Sequence, residues 1–321
     1  MNRLPMSRLE DIGEEGFLKA LPSWIKHKNL KVKTGIGDDA LILENGYVVT
    51  SDAYEDGVHF SLNYFSHFDA GYKCAAATLS DIAAMGAEPI CLLVNLFCSK
   101  ALDISELKEL YNGMEEVCAD VGAQIAGGDT VASENLILSL TAIGQSSKPL
   151  MRSGARAGDL IYLSGYPGLS AVGQHALSQG LEGFDEAKKK HLRPKPLIRL
   201  GLGISDYANS CIDTSDGLST DATRLARMSK VKIIIESSLL PLHPEVKKFS
   251  LGTGSATDSL ILNAGEDYEL LFSSPRQLPD EIEDTLVHRI GIAEEGEGLF
   301  LEANGTLLPL PAKGYDHFVR S

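Results

Sequence analysis

The chain lacks the short motifs that usually announce a nucleotide or metal site. No Gly-Lys dipeptide occurs among its 321 residues, which excludes a Walker A loop, and no G-x-G-x-x-G follows a strand-like run. Its five cysteines (Cys74, Cys91, Cys98, Cys118, Cys211) are odd in number and never spaced C-x-x-C. That argues against a disulfide framework and a zinc site, and fits a reducing cytoplasm. Positive charge is scarce: 29 Lys and Arg against 44 Asp and Glu leave a net charge of -15. A nucleic-acid surface or an anionic membrane is therefore a poor partner, and polyanions would need divalent cations between them and the protein. Long apolar runs are absent as well. The longest, PICLLVNLF, is interrupted by Asn95 and too short to span a bilayer, and MNRLPMSRLEDIGEEGF has no apolar signal-peptide core.

What is present is an ordinary globular composition, 44% hydrophobic with 31 Gly and 13 Pro. Strand and helix signals alternate. ALILENGYVVTSDA reads as a hairpin turning at Asn45-Gly46. The Ala-rich stretch 69–86 reads as a helix opened by Asp69 and stopped at Gly86, and PICLLVNLFC as a buried strand. Ser105 is a candidate cap for a helix whose Leu107, Leu110, Tyr111, Met114, Val117 and Cys118 recur at helical spacing up to Gly122. NLILSLTAIGQ is a further strand. After a turn-rich stretch at 146–158 the pattern restarts with LIYLSG, helices near 168–180, 184–192 and 196–208, and the strands SCID, VKIIIES, YELLFS, VHRIGIA and GLFLEANG. The expectation is an α/β protein of two mixed-sheet domains, 1–148 and 149–321.

Aspartates recur where apolar runs meet Gly, Ser or Thr. They are Asp38 and Asp39 in TGIGDDA, Asp52 in TSDA, Asp129 in AGGDT, and Asp213 with Asp216 in CIDTSDG. Asp81 differs, because it falls inside a helix of small and apolar residues, where an unpartnered carboxylate is costly. Each alone reads as a cap, turn or surface acid. Together, with Thr50, Ser51, Ser80, Thr130 and Ser215 beside them, they form a set of hard oxygen ligands suited to Mg²⁺. The glycines of YLSGYPGLSAVG leave two readings open, a backbone cradle for phosphate or a plain turn before a helix. The run Lys188–Lys190 reads as surface.

In order along nearly the whole chain, GIGDDA, SDAYEDGVHF, LSDIAAMGAEP, AGGDT, RSGARAGD, HLRPKP, IDTSDGLSTD, AGEDYELLF and KGYDHF resemble the motifs of the thiamine-monophosphate kinases. The resemblance implies the fold of the aminoimidazole ribonucleotide synthetase-like group, with homodimers formed through a β-barrel shared between N-terminal domains. It also implies ATP as co-substrate and thiamine monophosphate as acceptor. By motif, Asp39, Thr50, Ser51, Asp52, Asp81, Asp129, Asp213 and Asp216 look like the Mg²⁺ set. Tyr111, Gly128, Asp129, Arg152 and Ser215 look like ATP contacts, and His59, Glu266 and Tyr315 resemble the positions that hold the thiamine phosphate. Three positions depart from the family pattern: Ser51 stands where Thr is common, Thr78 where Asn is common, and Tyr315 where some relatives carry Trp or Phe.

The implied chemistry suits this inventory. A phosphate acceptor has a second pKa of about 6, so near neutrality it is already a nucleophile and no general base is expected. The obstacle is charge. Unit charges about 4 Å apart repel by about 4 kcal/mol at an effective dielectric near 20, and two charges on each group raise that toward roughly 16 kcal/mol. Several Mg²⁺ ions offset such a term where one Arg does not. A selenophosphate synthetase is disfavoured because no cysteine precedes Cys74, a purine-pathway synthetase because of GEDYEL. Composition alone also allows a non-catalytic cation- or nucleotide-binding protein.

Overall fold

The computed structural model describes residues 8–318. The first half runs α1 (Leu9–Trp24), β1 (Val32–Thr34), β2 (Leu41–Leu43), β3 (Tyr47–Glu55), α2 (His67–Ala84), β4 (Glu88–Cys98), α3 (Ile104–Val121), β5 (Gln124–Ala132) and β6 (Ile137–Gln145). Its strands form one open sheet in the order β1-β2-β3-β6-β4-β5, antiparallel except for the β4–β5 pair, which α3 connects. Strand alternation buries one face of this sheet beneath α2 and α3. Leu93, Phe97, Ile137 and Ile143 stay half-exposed on the other face.

The second half runs β7 (Leu160–Ser164), α4 (Leu169–Ser178), α5 (Asp185–Leu192), α6 (Ile198–Ile204), β8 (Ser210–Asp213), α7 (Leu218–Ser229) and β9 (Lys232–Glu236). It continues with α8 (Pro244–Thr253), α9 (Thr257–Asn263), β10 (Leu270–Ser274), β11 (Glu281–Ile282), β12 (Thr285–Glu294), β13 (Gly298–Ala303) and β14 (Thr306–Pro309). These strands build a second mixed sheet, β14-β13-β9-β12-β7-β10-β8, in which β13 pairs parallel to β9 and β11 joins β12 at the side.

Helix α2 is the element on which both halves close. It is buried from Ala70 to Ala84 apart from a half-exposed Asp81. It packs on α3, β3 and β6 on one side and on α5, α6 and β8 of the second half on the other. Small side chains make this possible. A Cβ on Gly71 would collide with the Leu110 carbonyl of α3, and one on Gly201 with the Ala83 carbonyl, so these backbones meet almost directly. One apolar cluster runs through the contact, from Ile42 and Leu138 to Ile198, Leu200 and Phe272.

Two caps differ from expectation. The Ser66 side chain, not Asp69, closes the start of α2 by accepting from the Asp69 N–H at 3.1 Å. At α3 the cap is Asp103 rather than Ser105, because Glu106 reaches back to the Asp103 N–H at 3.0 Å and completes a capping box.

Candidate active site

The turn between β1 and β2, the end of β8 and the last turn of α2 converge on one point. There Asp39, Asp81 and Asp213 bring carboxylate oxygens within 4.8 Å of one another. Each is held by a neighbour. Thr50 donates to Asp81 Oδ2 at 2.5 Å, Ser80 donates to Asp213 Oδ2 at 2.8 Å, and Arg152 donates through Nε and Nη2 to Asp39 Oδ1 at 3.1 and 2.7 Å. Asp52 stands next along β3 and accepts from the Tyr54 hydroxyl at 3.2 Å, which in turn meets Thr78 at 2.9 Å.

The electrostatics of the cluster are strained. Burial, then the negative charges of Asp52, Asp213 and Asp39, push the Asp81 carboxyl well above the carboxylate range. Burial and Asp39 do the same to Asp213, and burial raises Asp52. Burial opposes the charge on Arg152, but Asp39 more than offsets it and the guanidinium stays cationic. One oxygen, Asp39 Oδ2, is buried with no hydrogen-bond partner among the described residues. Three convergent carboxylates, an unfilled acceptor and one neutralising cation are the donor chemistry that a hard divalent ion fits. Asp38 does something else. Its Oδ1 accepts from the backbone N–H groups of Asp39 and Arg152 at 3.1 and 3.0 Å, so it shapes the turn, and burial together with Asp39 lifts its pKa to about 6.

The cluster borders a cavity of about 650 Å³. Asp52, Asp81 and Asp213 line it with Ser51, His59, Ser215, Asp216, Glu266 and Tyr315, so most of the expected site residues share one space. Ser51 is on the opposite face of β3 from Thr50 and Asp52, and its hydroxyl donates to the Leu140 carbonyl at 3.2 Å. Asp216 pairs with Arg224 at 2.5 Å. His59 Nδ1 accepts from the Glu55 N–H at 3.1 Å, which leaves the proton of the neutral ring on Nε2. Burial and His317 lower its pKa to about 4, so the ring is neutral at pH 7. Tyr315 and His317 sit edge-to-face with centroids 4.8 Å apart, and Asp316 accepts the Glu14 N–H, tying α1 to the C-terminal segment over the opening.

Gly128, Asp129 and Tyr111 are not brought to this cavity. Asp129 lies on edge strand β5, in a row that runs from Ala53 through Ser139 and Asn95. Three strand spacings put it roughly 14 Å from β3. It is exposed, and its Oδ1 accepts from the Thr130 N–H. A Cβ on Gly128 would collide with the Val94 backbone, so this glycine is needed for the β4–β5 approach in any case. Tyr111 is on α3, half-buried against the apolar core.

The structure closes one open reading and corrects another. The Asp267 carboxylate already occupies the start of α4, accepting from the Gly168 and Ser170 N–H groups at 2.6 and 3.0 Å, so the glycines there cradle the protein's own acid. Lys190 is not a surface residue; its ammonium is mostly buried and pairs with Glu269 at 2.6 Å. Lys73, Arg224, Glu14 and His317 were missed. The signal for Lys73 was available, since like Asp81 it is a charge within a run of small and apolar residues.

Similarity to known proteins runs over nearly the whole chain. Residues 37–146 match the family model AIR synthase related protein, N-terminal domain. The thiamine-monophosphate kinase of Aquifex aeolicus is 33% identical over 318 residues, covering 97% of this chain and 100% of that protein. That of Escherichia coli O157:H7 is 32% identical over 324 residues, covering 95% and 98%. The solved structure of AaThiL complexed with AMPPCP and TMP aligns with a TM-score of 0.88 at 32% identity, covering 97% of this chain and 99% of that one.

A carboxyl whose folded-state pKa lies above its unfolded value stabilises the fold while protonated, and that stability is lost as pH rises from the unfolded value through the folded one. For Asp38 the window runs from 3.8 to about 6, and Asp81 and Asp213 extend it upward. The metal-free protein is expected to melt at lower temperature as pH rises from about 4 to about 7. Added Mg²⁺ should restore more at the upper end. Asp81→Asn should raise the metal-free melting temperature at neutral pH and shrink the magnesium gain. Differential scanning fluorimetry checks this, and a metal-free melting temperature that climbs across the window contradicts it.

Proposed function

The chain belongs to the thiamine-monophosphate kinase family, and on that footing we propose that it transfers the γ-phosphoryl group of ATP directly and in line onto the phosphate of thiamine monophosphate, with several Mg²⁺ ions, to give thiamine diphosphate. The observation that carries this reading is the convergence of Asp39, Asp81 and Asp213 from distant parts of the chain beside a cavity that also contains His59, Glu266 and Tyr315. The relative bound to AMPPCP, an ATP analogue, and TMP supports it.

Asp39, Asp52, Asp81, Asp213 and Asp216, with the neighbouring oxygens of Thr50 and Ser51, are the groups proposed to hold the ions. Bound magnesium supplies the positive charge that lets two phosphates approach and align. Arg152 keeps Asp39 oriented and adds one fixed cation, and with Ser215 it is assigned to ATP. At the acceptor end, neutral His59 offers its Nε2–H to the phosphate. Glu266 accepts from a thiamine nitrogen, and Tyr315 provides a ring against the heterocycle. No side chain has to remove a proton, because the acceptor phosphate is largely a dianion near pH 7.

Asp129, Gly128 and Tyr111 enter this scheme through a second copy. The half-exposed apolar face of the first sheet and the exposed edge of β5 are where two copies would meet, closing a shared barrel and carrying the edge strand to the partner's site. Five free cysteines, four of them buried, agree with a cytoplasmic setting, and no described helix is long and apolar enough to cross a membrane.

Incubation with ATP, Mg²⁺ and thiamine monophosphate should yield thiamine diphosphate and ADP in equal amounts by chromatography, and Asp52→Asn should cut turnover by about 100-fold or more. ADP formed equally without acceptor, or no diphosphate at all, defeats the proposal. Sedimentation should give a dimer at micromolar concentration that Leu93→Arg converts to monomer. A wild-type monomer removes the second copy from the scheme.

A further inference from the structure

Lys73 is among the largest fully buried side chains of the protein, only 2% exposed, in a stretch of α2 dominated by small and apolar residues. A buried ammonium is expensive to keep, and apolar side chains of similar size usually stabilise such a position as well or better. Its contacts point to another use. Nζ donates to the His59 carbonyl at 3.0 Å, meets Glu266 Oε1 at 3.0 Å, and lies over the Phe65 ring at 5.4 Å from the centroid. Both polar partners belong to residues assigned to the acceptor end of the cavity.

Glu266 needs an external constraint. It is a non-glycine residue with φ of 63°, followed by Tyr268 with φ of 49°, so its loop is in a conformation that side chains disfavour. Its backbone N–H is fixed by the Ser215 carbonyl at 2.7 Å, but its carboxylate is partly exposed at the cavity. The other neighbour, His191 Nδ1 at 3.7 Å from Oε2, belongs to a ring that burial, then Lys73, drives down to about 2. His191 is therefore neutral, and Lys73 is the full positive charge in contact with Glu266 among the described residues. Helix α2 also carries Asp81, eight residues on and roughly 12 Å along the axis. One rigid element thus sets the spacing between the acidic cluster and the acceptor wall.

We propose that Lys73 is a positioning residue for the acceptor: anchored on the His59 carbonyl, its ammonium aims the Glu266 carboxylate into the cavity and sets affinity for thiamine monophosphate without acting on ATP. The inference rests on the reading of His59 and Glu266 as acceptor-holding groups.

Steady-state kinetics of the full-length protein carrying Lys73→Met, Lys73→Arg, Glu266→Gln, and Lys73→Met with Glu266→Gln tests it. Lys73→Met should raise KM for thiamine monophosphate about tenfold while KM for ATP moves less than about twofold. Lys73→Arg should recover most of the loss. The double variant should match Glu266→Gln, because Lys73 acts through that carboxylate. Equal rises in both KM values, or single effects that multiply in the double variant, overturn the proposal. If Lys73→Met does not fold, the double variant, which leaves no lone buried charge, is compared with Glu266→Gln and decides alone. An unchanged acceptor KM in Glu266→Gln overturns the acceptor-site reading and the role of Lys73 with it. A raised KM there beside an unchanged one in Lys73→Met overturns Lys73 alone.

Discussion

Mutual repulsion of carboxylates held too close together is the interaction on which the rest of this structure turns. Asp39, Asp81 and Asp213 approach within 4.8 Å, and a fully ionised pair at that distance is unfavourable by about 3 kcal/mol at an effective dielectric near 20. Arg152 offsets part of this on one side only, through Asp39 Oδ1, and Asp39 Oδ2 has no partner among the described residues. Burial is the larger cause, and together with these neighbouring charges it is why Asp81 and Asp213 hold protons well above the usual range. A fold optimised only for stability would not collect these groups. Their arrangement makes sense as a receptor for positive charge, and a reaction that joins two phosphates needs positive charge more than it needs a base.

The architecture serves that constraint through α2. A helix that must be covered from both halves of the chain can use only small side chains at its contacts, and Gly71, Ala75, Ala76 and Ala83 supply them. The few charged or polar side chains it does carry then become the points where the halves communicate. Asp81 is fixed by Thr50 from the first sheet, Ser80 reaches Asp213 at the end of β8, and Lys73 reaches Glu266 before β10. The cavity lies along this seam, so neither half contains a complete site.

Much of this was legible from the residues. The hairpin at Asn45-Gly46, the Ala-rich helix, and the strands PICLLVNLFC and NLILSLTAIGQ carry strong local signals, and the structure has each of them. Asp81 could be singled out because a lone acid among alanines has no structural reason to be there. Other features depended on partners distant in sequence. Lys190 sits in a KKK run that looks solvated, and only folding brings Glu269 to it. The YLSGYPG glycines leave a phosphate cradle open until Asp267, about a hundred residues later, fills it. AGGDT did not register as a strand, because two glycines erase the alternation that marks β5. The Asp103 cap was readable from the Asp-x-x-Glu spacing, and the nearer hydroxyl of Ser105 drew the assignment away from it.

The cluster keeps protons because its carboxyls are buried within reach of one another's charge, and it is expected to give them up when a cation takes their place. Proton release on Mg²⁺ binding tests this most directly, by isothermal titration calorimetry in buffers of different ionisation enthalpy. The account predicts net release of protons near neutral pH, increasing as pH is lowered toward about 6. Magnesium binding with no proton release, or with release independent of pH, would contradict it.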